Sequence, residues 1–266
     1  GVVRFEGAGD AAAVAVHEIW QRWPKAFDAD KGSFAIHLLP QQPRSDFGKD
    51  LPFWLMYPFV DGKYRFKWGM SFTTRVTFDF AGETAVDQLY ADANVPVVAV
   101  LPADWYASTR ALGDVAVPKG KQFAQWDAYV ADAYKKHKLR KASSREYGHL
   151  NYGDWFGERG RNWGNNEYDL AHGFFMQFVR TGRRDYFRLA LSAPRHQADV
   201  DCVHAYPDPD YVGANHQHSI GHTGTWSQVH MRATWSHRYD SHTRARNGHT
   251  WADGMMDAWY LAGDAR

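Results

Sequence analysis

The chain has 266 residues, enough for one large domain or two ordinary ones. Lys and Arg number 31 against 30 Asp and Glu, a net charge of +1, so there is no electrostatic footprint for nucleic acid or an anionic membrane surface. A single cysteine, Cys202, excludes an intrachain disulfide framework and a multi-cysteine zinc site, and no apolar run reaches the length of a membrane span. Aromatic residues make up 16% of the chain. Most of them fill a core, yet flat apolar rings also suit stacking on the C–H face of a pyranose.

Residues 1–101 read as β structure. Val14, Val16 and Ile19 mark a short extended segment, and Ser33–Leu39 alternates Phe34, Ile36 and Leu38 on one face, the period of a half-buried strand. Pro52–Phe59 reads as an aromatic strand closed by the Asp61-Gly62 turn. Tyr64–Phe80 is the longest alternating run, with Gly69 as a bulge or face switch inside it. Strands joined by Gly and Pro turns, without strand–helix alternation, favour an antiparallel sandwich. Ala81–Asn94 then suggests a short helix with Val86, Leu89 and Tyr90 inward, and 102–122 reads as a linker with one helical turn.

From Phe123 the period changes. Phe123, Trp126, Tyr129, Val130, Ala133 and Tyr134 recur at helical spacing, and the polar run KKHKLRKASS closes that helix. Residues 145–166 carry glycines too closely spaced for any regular element, together with His149, Tyr152, Trp155, Arg161, Trp163, Asn165 and Asn166. Long loops of that kind are more often functional than idle. Glu167–Arg180 and Arg184–Val200 form a helical hairpin joined at Thr181-Gly182, and Trp251–Leu261 is a further helix ended by Gly263. The starts Tyr168-Asp-Leu-Ala-His-Gly and Trp251-Ala-Asp-Gly share a format, a weak repeat that suggests stacked helix pairs.

Between the hairpin and the last helix lies Gly213–His222, with imidazoles at His216, His218 and His222, followed by His230, His237, His242 and His249. Histidine titrates nearest physiological pH, so such a cluster suits proton transfer, metal ligation or polar binding. No Asp or Glu stands between Gly213 and Trp235 to complete a metal site, and none is assigned. The residue types suit β-elimination at a uronic acid. A donor such as Arg161, Asn165 or Arg244 would hold the carboxylate while His149, Tyr152, His216, His218 or Tyr239 takes the C5 proton or protonates the leaving oxygen. Glycoside hydrolysis would use two facing carboxylates, for which Asp154, Glu158, Glu167 and Asp169 are available.

Several stretches, in order, resemble one family. These are Ala13–Leu39, the segment KWGMSFTTRVTFDF ending at Phe80, Tyr152-Gly-Asp-Trp, Asn165-Asn-Glu-Tyr-Asp, His218-x3-His222, and HTWADGMMDAWYLAGD from His249 to Asp264. Together they are similar to the exo-rhamnogalacturonan lyases of polysaccharide lyase family 26. The resemblance implies an α+β multidomain chain: the rear of a central antiparallel β-sandwich (1–101), a linker (102–122), and the first helical hairpins of an (α/α)6 toroid (123–266). Twelve toroid helices need roughly 200 residues or more, so the chain is expected to be a piece of a longer, extracytoplasmic enzyme that lacks its flanking parts.

The partner implied is an acidic polysaccharide, not a nucleic acid or a membrane. No cofactor is assigned, and a Ca²⁺ requirement is left open. Under this reading His218 and His222 make acid–base or carboxylate contacts, Tyr152 is the base, and Arg161 is the carboxylate partner. Trp155, Trp163 and Trp226 are sugar platforms. His149, Asn165, Asn166, His216, Tyr239, His242, Arg244 and His249 line the cleft, with loop packing as the alternative role for His149 and Trp163. The loops 149–166 and 213–222 should then face each other, with His218 or His222 near Tyr152. The alternatives are a glycoside hydrolase on the same toroid and a non-catalytic carbohydrate-binding fragment.

Overall fold

Strand β2 (Ala11–Val16) is the centre of the first unit, with β1 (Val2–Glu6) on one side and β5 (Val76–Asp79) on the other, both antiparallel. The register sets Val2 opposite Ala15 and Ala13 opposite Asp79. The computed structural model describes residues 1–7, 11–30, 33–41, 69–158, 162–164, 167–215 and 250–265. These fall into two units, one of 1–41, 72–97 and 147–149, the other of 42–71, 98–146 and 150–266.

In the first unit, Ala13 through Val16 are all buried, so β2 is covered on both faces rather than alternating. Helix α1 (Val86–Asn94) lays Leu89 and Ala93 on Ala13 and Ala15, whose methyl side chains allow close approach. Val86 and Tyr90, expected inward, are exposed, because the i, i+4 pair Leu89/Ala93 claims the facing stripe. The turn before α1 is organised by Asp79, whose carboxylate accepts from the amides of Thr84, Gly82 and Ala81. Strands β3 (Ala26–Asp30) and β4 (Ser33–His37) form a hairpin, and Phe34 contacts Phe27 and Phe5. The chain returns here at 147–149, where the amides of Gly148 and His149 donate to the carbonyls of Gln21 and Trp23.

Among its described residues, the long alternating run Tyr64–Phe80 is a strand over β5. Gly69 lies in a turn at φ +74°, and a Cβ there would stand 2.6 Å from the Ala205 carbonyl oxygen, so close approach and not a bulge explains the glycine. The expected strand at 52–59 and its turn lie outside the described residues.

The second unit is built on a helical hairpin. Its described helices are α2 (Ala103–Thr109), α3 (Ala124–Ser143), α4 (Leu170–Thr181), α5 (Arg184–His196) and α6 (Asp253–Ala262). Ala171, Phe174, Phe175, Phe178 and Val179 on α4 meet Tyr186, Phe187, Ala190, Leu191 and Ala193 on α5 in one core, joined by Ala258 of α6 and Tyr106 of α2. The joint is only Gly182-Arg183. Gly182 takes φ +69° and its amide donates to the Phe178 carbonyl, as the sequence predicts for a helix-ending glycine. Pro194 sits inside α5, and the chain continues as a π-turn over Gln197–Asp201.

Helix α3 runs through KKHKLRKAS and ends at Ser143, within the polar run expected to close it, since Lys, Arg and Ala are good helix formers. Of its aromatic stripe only Tyr134 is buried, against Phe174 and Tyr186, while Trp126 and Tyr129 are exposed. Residues 102–122, expected as a linker, pack with the helical unit, where Tyr106 enters the core and the Ala116 carbonyl accepts from Arg180 Nε. Small antiparallel sheets and six α-helices thus make a mixed α/β chain among the described residues.

Candidate functional site

The first turns of α4 and α6 lie side by side and are pinned by one side chain. Asp169, the N-cap of α4, accepts from the His172 amide at 3.0 Å through Oδ1 and from the Gly254 amide at 2.9 Å through Oδ2. It thereby satisfies amides that both helix starts would leave orphaned. Gly254 has no room for a side chain: a Cβ would stand 2.5 Å from Asp169 Oδ1 and 2.6 Å from the Ala171 Cβ.

One turn further along, His172 Nδ1 lies 2.7 Å from Asp257 Oδ2. The imidazole is 38% exposed while the carboxylate side chain is 6% exposed. Burial raises the Asp257 pKa to about 6, against the lowering contact with His172. At neutral pH the carboxylate is still mainly ionised and accepts the Nδ1–H, which leaves the Nε2 lone pair as the reactive position. Beside this pair stands an aromatic one. Tyr168 is 71% exposed, and its ring centroid is 5.8 Å from that of half-buried Trp251, with the planes tilted by 32°.

A second ionisable cluster lies behind the first turn of α4 and is fully enclosed. His196 Nε2 is 3.4 Å from Asp201 Oδ2 and 3.7 Å from Asp154 Oδ2, and Lys141 Nζ is 3.5 Å from Glu146 Oε2 and donates to the Asp154 carbonyl. Asp154 is pushed up to about 6, chiefly by burial, with Asp201 adding to the rise and His196 opposing it. A small cavity places Asp154 and Gly153 against Leu170, Ala171 and Ala193. Being closed, this cluster has no face for a substrate; it braces the loop 150–155 on α3 and α5. The larger groove, about 550 Å³, lies between α3 and α4, and its lining includes Trp126, Tyr134, Leu170 and Phe174. Its walls are mainly apolar, and His137 within it is held neutral, lowered to about 3 by burial and then by Lys141 and Arg140.

No family model matches the chain. It is similar to YetA of Bacillus subtilis strain 168, an uncharacterized protein, at 30% identity over 147 residues. That match covers 48% of this chain and 16% of YetA.

Of the residues singled out from sequence, Arg161, Asn165, Asn166, His216, His218, His222, Trp226, Tyr239, His242, Arg244 and His249 lie outside the described residues. So does the expected meeting of His218 or His222 with Tyr152. The remaining four are placed. Tyr152 and Trp155 are half-buried in the loop after α3. A Cβ on Gly164 would fall 2.2 Å from the Trp155 ring, so the indole occupies the space a side chain would need there.

Trp163 is fully buried and makes an edge contact with Phe156. It packs β6 (Phe156–Glu158) against β7 (Asn162–Trp163), a short hairpin in a stretch expected to hold no regular element. His149 is likewise buried, with Nδ1 3.2 Å from the Trp23 carbonyl and its ring against Phe72. Sequence reasoning missed His172, Asp257, Tyr168 and Trp251 as a group. The shared format of the two helix starts was the signal that could have found them, since it aligned the helices whose first turns meet. Among the described residues no group of three or more His, Cys, Asp or Glu converges to hold a metal.

Proposed function

We propose that the chain carries part of a polysaccharide lyase that cleaves a uronate-containing, rhamnogalacturonan-like plant polymer by β-elimination outside the cytoplasm. The observation that carries this reading is the His172–Asp257 pair, half-open to solvent beside the Tyr168–Trp251 rings. The order of motifs shared with the exo-rhamnogalacturonan lyases supports it. So does the arrangement of α4 and α6, which start together with α5 returning between them in sequence, as successive inner helices of an (α/α)6 toroid would. The sheet of the first unit is read as part of the sandwich.

His172 Nε2 takes the C5 proton of the uronate. The electrons of that C–H bond become the C4=C5 double bond, and C4–O breaks with its pair toward the leaving oxygen. That oxygen receives a proton from a donor on the loop bearing Tyr152. Asp257 stabilises the imidazolium formed on His172. The substrate carboxylate needs a cation while charge spreads onto it, and Arg161 and Arg244 are assigned that part.

The test is incubation of the full-length polypeptide carrying this chain with rhamnogalacturonan, following the ultraviolet absorbance of the 4,5-unsaturated product. We expect turnover that falls roughly 10²–10⁴-fold in His172→Ala. Reducing ends without absorbance would instead establish hydrolysis, and binding with neither would establish a carbohydrate-binding module. Chelator treatment in the same assay reads out a Ca²⁺ requirement.

A further inference from the structure

We infer that Asp169 is a positioning residue that sets the register between the acid–base pair and the aromatic pair. The inference rests on reading His172–Asp257 as that acid–base pair. The Asp169 carboxylate hydrogen-bonds to the starts of both helices, through the His172 and Gly254 amides. From each of those contacts the dyad follows at a fixed step: His172 is three residues after Asp169, and Asp257 three residues after Gly254. On a helix that step returns a side chain to the same face. A carboxylate tying residue 169 to residue 254 therefore brings 172 opposite 257, which is the 2.7 Å contact observed.

The backbone shows that this contact is held under constraint. Tyr168 and Asp169 are successive non-glycine residues at φ +69° and +47°, a region that L-residues enter at a cost and that persists where the surroundings fix it. The left-handed pair turns the chain sharply into α4. The Asp169 carboxylate is thereby directed at two amides, and Tyr168 is set outward against Trp251. Gly254 completes the device. Its missing side chain is what lets the second helix approach the carboxylate to hydrogen-bond distance.

The test compares Asp169→Asn, Gly254→Ala and, as a control for general loss of stability, Gly182→Ala at the hairpin joint. An asparagine keeps one acceptor oxygen, enough to cap α4 but not to hold Gly254 as well. The readout is the His172 Nδ1–H proton followed by NMR, which does not depend on turnover. We expect its exchange with water to quicken about tenfold or more in Asp169→Asn and Gly254→Ala, the factor that loss of one hydrogen bond to a charged group carries, and to stay unchanged in Gly182→Ala. In the lyase assay the first two variants should lose kcat by a similar factor with KM nearly unchanged.

An unchanged Nδ1–H in both Asp169→Asn and Gly254→Ala overturns the inference, whatever the enzyme does. Loss of that proton's protection in a protein that shows no lyase turnover upholds the positioning role and sinks the lyase reading instead. Equal quickening in Gly182→Ala would reduce Asp169 to an ordinary helix cap.

Discussion

His172 and Asp257 act through burial contrast. A half-exposed imidazole backed by a buried carboxylate can give and take a proton toward solvent, whereas the enclosed His196, with Asp154 and Asp201 around it, cannot reach a substrate. The raised Asp257 pKa gives a directional expectation. Above about 6 the carboxylate is ionised and holds the Nδ1–H; below that it is protonated and the pair is lost. Turnover should therefore fall as pH drops through about 6, and Asp257→Asn should lose most of the activity and alter that limb of the pH–rate profile. A profile unchanged by Asp257→Asn would remove Asp257 from the mechanism. None of this was readable at the residues themselves, because His172 and Asp257 are 85 positions apart and neither stands in a conspicuous polar loop.

Among the elements, α4 and α3 make a useful contrast. Both carry aromatic residues at helical spacing, and sequence periodicity treats them alike. Helix α4 is packed along its length, with Phe175 fully buried against Phe187, while α3 engages the hairpin through Tyr134, against Phe174 and Tyr186, and through the Asp127–Arg180 ion pair. Phe175→Ala should destabilise the helical unit by ~3–5 kcal/mol, the range for deleting a buried aromatic ring. Trp126→Ala on the exposed face of α3 should change it by less than ~0.5 kcal/mol. Urea unfolding followed by circular dichroism measures both, and a large effect at Trp126 would show that its face is covered in solution. Periodicity finds an apolar stripe; it does not say whether a partner lies against it.

At the scale of the molecule, the two units differ in how they carry their buried titrating groups. In the strand unit, burial lowers the pKa of His149 to about 4. A depressed histidine contributes stability that is full above its unfolded value near 6.5 and lost as pH falls toward 4, at roughly 1.4 kcal/mol for each tenfold rise in proton concentration over that range. In the helical unit His137 acts in the same direction, but Asp154 and Asp257 oppose it. Their raised values, about 6 each, add stability as pH falls through 6 toward the ordinary carboxylate range. Acidification from pH 7 to 4.5 should therefore loosen the β1–β2–β5 sheet more than the α4–α5 hairpin. Amide exchange resolved by segment would show this, and earlier loss of the hairpin would contradict it.

Elements with a local cause were legible in the order of residues: the Ser33–His37 strand from its alternation, and the α4–α5 hairpin from apolar spacing broken at Gly182. The same order pointed to 149–166 as a segment next to the helices that matter. Which side chains meet came from packing in three dimensions. Trp163 and His149 read by type as cleft residues or as loop packing, and both are buried. A histidine and an aspartate on separate helices became a pair because one carboxylate, Asp169, reaches two helix starts and one glycine, Gly254, lets them close. Chain-local patterns encode an element's face and its ends. Contacts between residues far apart depend on register between packed helices, which is fixed by a few side chains in space and leaves no period in the sequence.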